Sequence, residues 1–115
     1  MNRLKFAEDW DKLSKPRFTT IRSWRPEKEA YYRSAVGSEF SMIRVPTYWS
    51  FKGNKIGSAT LKSVQVITPR ELPAETLIED VRRGGNPVQV WMDRLLAMDK
   101  ALLLEFENHT GILRS

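Results

Sequence analysis

Lys15-Pro16-Arg17-Phe18-Thr19-Thr20-Ile21-Arg22 is the stretch on which the reading of this chain turns. Phe18 to Ile21 all suit a pleated strand, and Pro16, which lacks an amide hydrogen, stops any helix arriving from the N-terminal side. Side chains alternate along a strand, so Phe18, Thr20 and Arg22 share one face while Arg17, Thr19 and Ile21 share the other. Two readings follow. Either the strand aims hydroxyl and guanidinium groups at an anionic ligand, or it is a solvated edge with scattered arginines.

On the N-terminal side, Phe6, Trp10 and Leu13 fall at i, i+4 and i+7, the spacing of one helical face, with Asp9, Asp11 and Lys12 turned away. On the C-terminal side, residues 23–36 have no period of two, and Pro26 blocks a strand, so the spacing predicts a loop with one helical turn around Glu29 to Arg33. This loop sets Trp24, Tyr31 and Tyr32 beside Arg25 and Arg33. Aromatic rings interleaved with arginine can stack unpaired bases while holding their backbone, or can fold back as a lid on the core.

Val36-Gly37-Ser38 reads as a turn into a strand over Glu39 to Val45, with apolar residues on both faces and hence a bulge or two-sided burial. Tyr48, Trp49 and Phe51 lead to a reversal at Lys52-Gly53-Asn54-Lys55, a second aromatic and basic cluster. From Lys55 to Ile67, Ala59 and Leu61 have one parity and Val64 and Val66 the other. A bulge near Lys62 and Ser63 reconciles them.

Charge divides the chain. Residues 12–70 hold twelve Lys or Arg against Glu27, Glu29 and Glu39, a net of +9, whereas residues 71–115 net −3. Clustered cations displace condensed counterions when they meet phosphate, so a polyanionic partner is expected. The acidic part reads as helices. Thr68-Pro69-Arg70-Glu71 has a capping-box arrangement, followed by an apolar face of Ala74, Leu77, Ile78 and Val81 that Gly84-Gly85 ends. A second helix after Asn86-Pro87 carries Val88, Trp91, Met92, Leu95 and Met98 on a core-facing stripe, and Leu102 to Phe106 closes the chain as a strand with His109 just past it.

With 115 residues, 41% of them hydrophobic, one domain spanning 1–115 is expected. The acidic N-terminal segment lacks a secretory apolar run, and the longest aliphatic run, Leu102 to Leu104, cannot span a bilayer, so the expectation is a soluble cytoplasmic protein with no membrane partner. Zero cysteines and a single histidine exclude disulfides, a Cys nucleophile and multi-histidine metal sites. No metal or cofactor is expected, and a monomer is assumed. Short strands, one irregular long strand and few helices predict an α+β domain: a small antiparallel β-barrel with flanking α-helices.

Taken in order, the strand Phe18-Thr19-Thr20-Ile21-Arg22, the turn Val36-Gly37-Ser38-Glu39-Phe40, the strand opening Lys55-Ile56-Gly57-Ser58-Ala59, the helical insertion and the final Leu104-Glu105-Phe106 resemble ASCH domains of the PUA-like superfamily, over roughly residues 4–107. The resemblance implies a small barrel with a cleft beside the threonine-bearing strand, a setting associated with RNA binding. Some similar proteins are hydrolases: certain ASCH proteins cut RNA, and small amidohydrolases that act on acetylated cytidine use a lysine three residues before a strand threonine and a later glutamate. Thr20 and Arg22 match that strand. Arg17 stands at the lysine position, and a guanidinium keeps its proton and cannot act as a base. Lys15, behind Pro16, is the neighbouring lysine, and the glutamate region aligns loosely with Glu79 and Asp80.

Two functions are therefore expected to compete. In the favoured one, a module binds single-stranded RNA or a nucleotide-like ligand: Arg17, Arg22, Arg25, Arg33, Lys52 and Lys55 hold phosphates, Trp24, Tyr48 or Trp49 stacks a base, and Thr20 floors the cleft. In the alternative, RNA or a modified nucleoside is hydrolysed by Thr20 or a bound water, with Lys15 or Glu79 taking the proton.

Overall fold

Arg17 to Ser23 does form a strand, and a curled sheet is arranged around it. The computed structural model describes residues 2–47 and 52–109. Along the chain, strand β1 (Asn2–Phe6) leads through a 3-10 turn (Asp11–Ser14) to β2 (Arg17–Ser23), helix α1 (Pro26–Ser34), β3 (Glu39–Arg44) and β4 (Asn54–Ile67). A second 3-10 turn (Pro69–Glu71), helix α2 (Ala74–Asp80), the two-residue strands β5 (Arg82–Arg83) and β6 (Asn86–Pro87), and helix α3 (Gln89–Leu96) form an insertion before β7 (Ala101–Asn108). None of these helices is long and apolar enough to cross a membrane.

The main sheet has the order β1-β3-β4-β7-β2 and is antiparallel except where β1 runs parallel to β3. It curls into a half-barrel, giving an α+β domain. The two edge strands, β1 and β2, approach across a seam that side chains bridge: Arg22 Nη2 donates to Lys5 O over 2.8 Å, and the Phe6 and Phe18 rings meet edge-on at 6.3 Å.

Inside the curl, Phe106 on β7 stacks on Phe18 at 5.5 Å and meets Phe40 edge-on at 5.4 Å. Leu4, Phe6, Met42, Leu61, Leu102 and Leu104 complete the centre of the core. The expected bulge in β4 is present, with the pairing to β7 slipping between Leu61 and Ser63, and it lets Ala59, Leu61 and Val64 all bury despite their opposite parities. In β3 both readings hold at once: Phe40 to Ile43 are all buried, and the register to β4 shifts between Met42 and Ile43.

Three local expectations are corrected. The helical spacing of Phe6, Trp10 and Leu13 does not make a helix; Phe6 ends β1, where Leu4 and Phe6 are buried and Arg3 and Lys5 are not, and Leu13 lies in the 3-10 turn. The loop around Glu29 is a nine-residue helix with Pro26 in its first turn, where proline's missing N–H is harmless. It buries none of its own residues fully and is held by Tyr32, stacked on Phe40 at 6.1 Å. The capping box at Thr68 is not formed, since the Thr68 hydroxyl donates instead to Asp99 O over 2.8 Å and α2 starts after Pro73.

Candidate functional site

The insertion lies against β2, and the segment before β2 clamps it there. Asp11 accepts the backbone N–H groups of both Gly84 and Gly85 at 2.8 Å, and these bonds hold its carboxyl below the usual carboxylate range. Gly84 and Gly85 have φ of 61° and 86°, the left-handed geometry of a tight hairpin turn, which presents both amides to one acceptor. Glu8 pairs with Arg83, and Lys15 pairs with Glu79, which also meets Arg82 at 3.5 Å.

Between β2 and this clamped insertion is a cavity of about 180 Å³. Phe6, Trp10 and Trp91 supply aromatic walls, with Trp10 and Trp91 edge-on at 5.7 Å. Its polar lining is Lys12, Thr20, Arg22, Asp80 and Arg94. Beside it is an outer space of about 390 Å³ that shares the lining residues Ile21, Arg22, Trp91 and Met98, and Ser23 and Lys28 line that outer part.

The inner lining is built around an ion pair that sequence reasoning missed. Lys12, 1% exposed, pairs with Asp80 on α2, and the same Asp80 Oδ1 accepts the backbone N–H of Ile21 at 3.2 Å. A carboxylate from the insertion thus satisfies an edge amide of β2 and a buried ammonium together. Burial pushes the Lys12 amine below the usual lysine range, and the Asp80 carboxylate opposes that shift. Thr20, 3% exposed, accepts from Arg22 Nε at 3.2 Å, so its own proton is left to donate. Arg22 lies 5.0 Å from the centre of the Phe6 ring.

The outer part is cationic. Lys28 donates to Ser23 Oγ over 3.1 Å, and its amine is pushed down by burial first and then by the nearby Arg22 and Arg25 charges. Arg94 lies over the Trp91 ring at 4.8 Å. Among the described residues, Arg25, Lys28 and Arg94 enter no ion pair, whereas Lys15, Arg33, Arg44, Lys62, Arg70, Arg82 and Arg83 are each matched with a carboxylate.

Of the residues expected in the site, Thr20 and Arg22 line the cleft. Lys15 and Glu79 pair with each other and are not among the lining residues; Lys12 and Asp80 stand there instead. Arg17 is exposed and, by strand alternation, points to the face opposite Thr20. Arg25 lines neither part of the cleft, although its charge is felt at Lys28. Trp24 is engaged elsewhere, its indole N–H donating to Glu29 at 2.8 Å and its face covered by Lys100 Nζ at 3.6 Å. That indole bond, with one from Arg33, holds the Glu29 carboxyl low. Arg33 is committed to Glu29 and to Val64 O, and Lys52 and Lys55 lie exposed by the β3–β4 connection. Tyr48 and Trp49 fall outside the described residues.

The lining residues that were missed, and Asp80, which only the loose family alignment had named, carry partial signals. Asp80 follows Leu77 by three and precedes Val81 by one, so it borders the buried stripe of α2. Trp91 and Arg94, three apart on α3, are legible as neighbours, but spacing alone assigns them only to core and surface. Lys12 gives no signal, because its partner is 68 residues away. Comparison with known proteins adds nothing to this geometry: no family model matches the chain, and no curated protein or solved structure matches it either.

Proposed function

We propose that the protein binds single-stranded RNA, taking an unpaired base into the cleft beside Thr20 and holding phosphates on Arg22, Lys28 and Arg94. One observation carries this reading: an aromatic-walled cavity lined in part by Arg94 adjoins an outer space lined by Lys28, and among the described residues neither cation enters an ion pair. Stacking rings inside and uncompensated charge outside are what an unpaired nucleotide needs. The half-barrel is read as a PUA-like barrel of the ASCH kind, as the sequence resemblance implies, with the threonine strand flanking the cleft and the helical insertion covering it.

Three phosphate contacts on a single strand make the logarithm of affinity fall with the logarithm of salt concentration with a slope of about −2. Titration of labelled single-stranded RNA at several salt concentrations measures this. Absence of binding even at low salt refutes the reading.

A second reading, hydrolysis of a modified nucleoside, is favoured by a different observation: the cavity lining includes an amine, a hydroxyl and a carboxylate in Lys12, Thr20 and Asp80. Thr20 Oγ would attack the acyl carbon as Lys12, in its neutral form, takes the hydroxyl proton; the acyl C–N bond would then break as that proton passes to the departing nucleobase amine, and water would release acetate from Thr20. The ion pair with Asp80 opposes loss of the Lys12 proton and disfavours that step, so binding is preferred. Turnover of acetylated cytidine that disappears in both folded Thr20→Val and Lys12→Met variants would reverse the preference.

A further inference from the structure

We infer that the outer part of the cleft is a site for a phosphate monoester, so that its ligand is a nucleoside monophosphate unit, either free or at a phosphorylated RNA end, rather than an internal nucleotide. The inference rests on the nucleotide-binding reading and deepens it. Its basis is the division of the cleft into two parts with different chemistry.

The inner cavity is the smaller and more enclosed part, walled by the segment before β2, by β2 itself and by the insertion. A strand threading past it needs a way in and a way out, whereas a terminal nucleotide enters base first and leaves its phosphate in the outer space. That space offers donors in excess of acceptors. The Lys28 ammonium donates to Ser23 Oγ, which leaves two ammonium hydrogens and the serine hydroxyl proton for a ligand. Arg22 borders both spaces and adds its charge, although its guanidinium already bonds Lys5 O and Thr20. Arg94, which lines the inner cavity, stands over Trp91, a residue common to both parts, and Arg25, which lines neither, is close enough to depress the Lys28 amine. Among the described residues Glu27 opposes that shift, more weakly than burial, Arg22 or Arg25 act at Lys28. Two cations, Lys28 and Arg22, line this space, with no carboxylate among its described lining residues, and that suits a dianion better than a monoanion. A phosphate monoester carries close to two charges at neutral pH and three terminal oxygens, while an internal phosphodiester carries one charge and two.

The test compares a short single-stranded RNA with a 5′-phosphate, the same RNA with a 3′-phosphate, the same RNA with hydroxyl ends, a nucleoside 5′-monophosphate and the unphosphorylated nucleoside. Each is titrated into the wild-type chain and into Lys28→Gln, with folding checked by melting. One phosphorylated end is expected to improve binding about tenfold or more, the worth of one charge-assisted hydrogen bond, and Lys28→Gln is expected to abolish most of that gain. Equal affinity of all three RNAs would overturn the inference and leave RNA binding standing. Binding of the monophosphate but of none of the RNAs would uphold the phosphate site, identify a free nucleotide as its source and remove the RNA reading. No binding of any probe would overturn both, and a phosphate gain untouched by Lys28→Gln would overturn the placement of the site.

Discussion

Replacing Lys12 by Met lowers the unfolding free energy by about 3–5 kcal/mol, and adding Asp80→Asn restores a substantial part of the loss. The single change strands the Asp80 carboxylate in a buried position where, among the described residues, the Ile21 N–H is its remaining hydrogen-bond donor. Asp80→Asn alone strands the Lys12 ammonium, which is 1% exposed. In the double variant no buried charge remains, and the side-chain amide oxygen introduced by Asp80→Asn still accepts from the Ile21 N–H. Urea denaturation of the four chains gives the coupling directly, provided the dependence on urea is unchanged. Strictly additive losses would show that the two groups are not a unit. The pH dependence has a definite sign. Because burial lowers the Lys12 amine, the unfolded chain binds more protons than the folded one between that lowered value and the ordinary lysine value of 10.5. The contribution of Lys12 to stability therefore rises with pH through that window, and this rise disappears in Lys12→Met.

Phe106→Ala is expected to cost about 3–5 kcal/mol, because truncating a fully buried ring leaves a cavity that a sheet interior cannot close. Phe106 is on β7, between β4 and β2, and its ring joins those of Phe18 and Phe40. Through Phe40 it also supports Tyr32, and so the seat of α1. A domain of this size has only about 5–15 kcal/mol to lose, so the melting temperature falls steeply. Val36→Ala, at an exposed position, should stay within about 0.5 kcal/mol of wild type. A melting temperature for Phe106→Ala near that of the control would contradict the description of the core.

The elements with strong local patterns were legible in the sequence. β2 was marked by its β-branched and aromatic run, the β4 bulge by a parity conflict, and α3 by its apolar stripe. Where local pattern and long-range packing disagreed, packing won. Phe6, Trp10 and Leu13 are spaced for a helix, yet the alternation Arg3-Leu4-Lys5-Phe6 fits β1, whose parallel partner β3 lies more than thirty residues on. The site was half legible for the same reason. Thr20 and Arg22 were readable because strand alternation puts them on one face. Asp80 was reached only through a loose family alignment, and Lys12 was not readable, because a lysine buried against a distant acid has no local signature. The basic run was legible as charge but not as a surface: Lys15 and Arg33 are neutralised by Glu79 and Glu29, while Arg94, from the acidic half, stands at the cleft.

That last distinction gives the most direct test of where the ligand binds. Arg94 and Arg33 are both exposed arginines, one at the cleft and, among the described residues, in no ion pair, the other outside it and bound to Glu29. Salt-dependent titration of the same single-stranded RNA into Arg94→Gln and Arg33→Gln compares them at equal change in charge. Loss of a phosphate contact should weaken binding by Arg94→Gln and make the salt slope shallower by about 0.7, with Arg33→Gln close to wild type. Equal weakening by both variants, or weakening by Arg33→Gln alone, would contradict the placement of the site between β2 and the helical insertion.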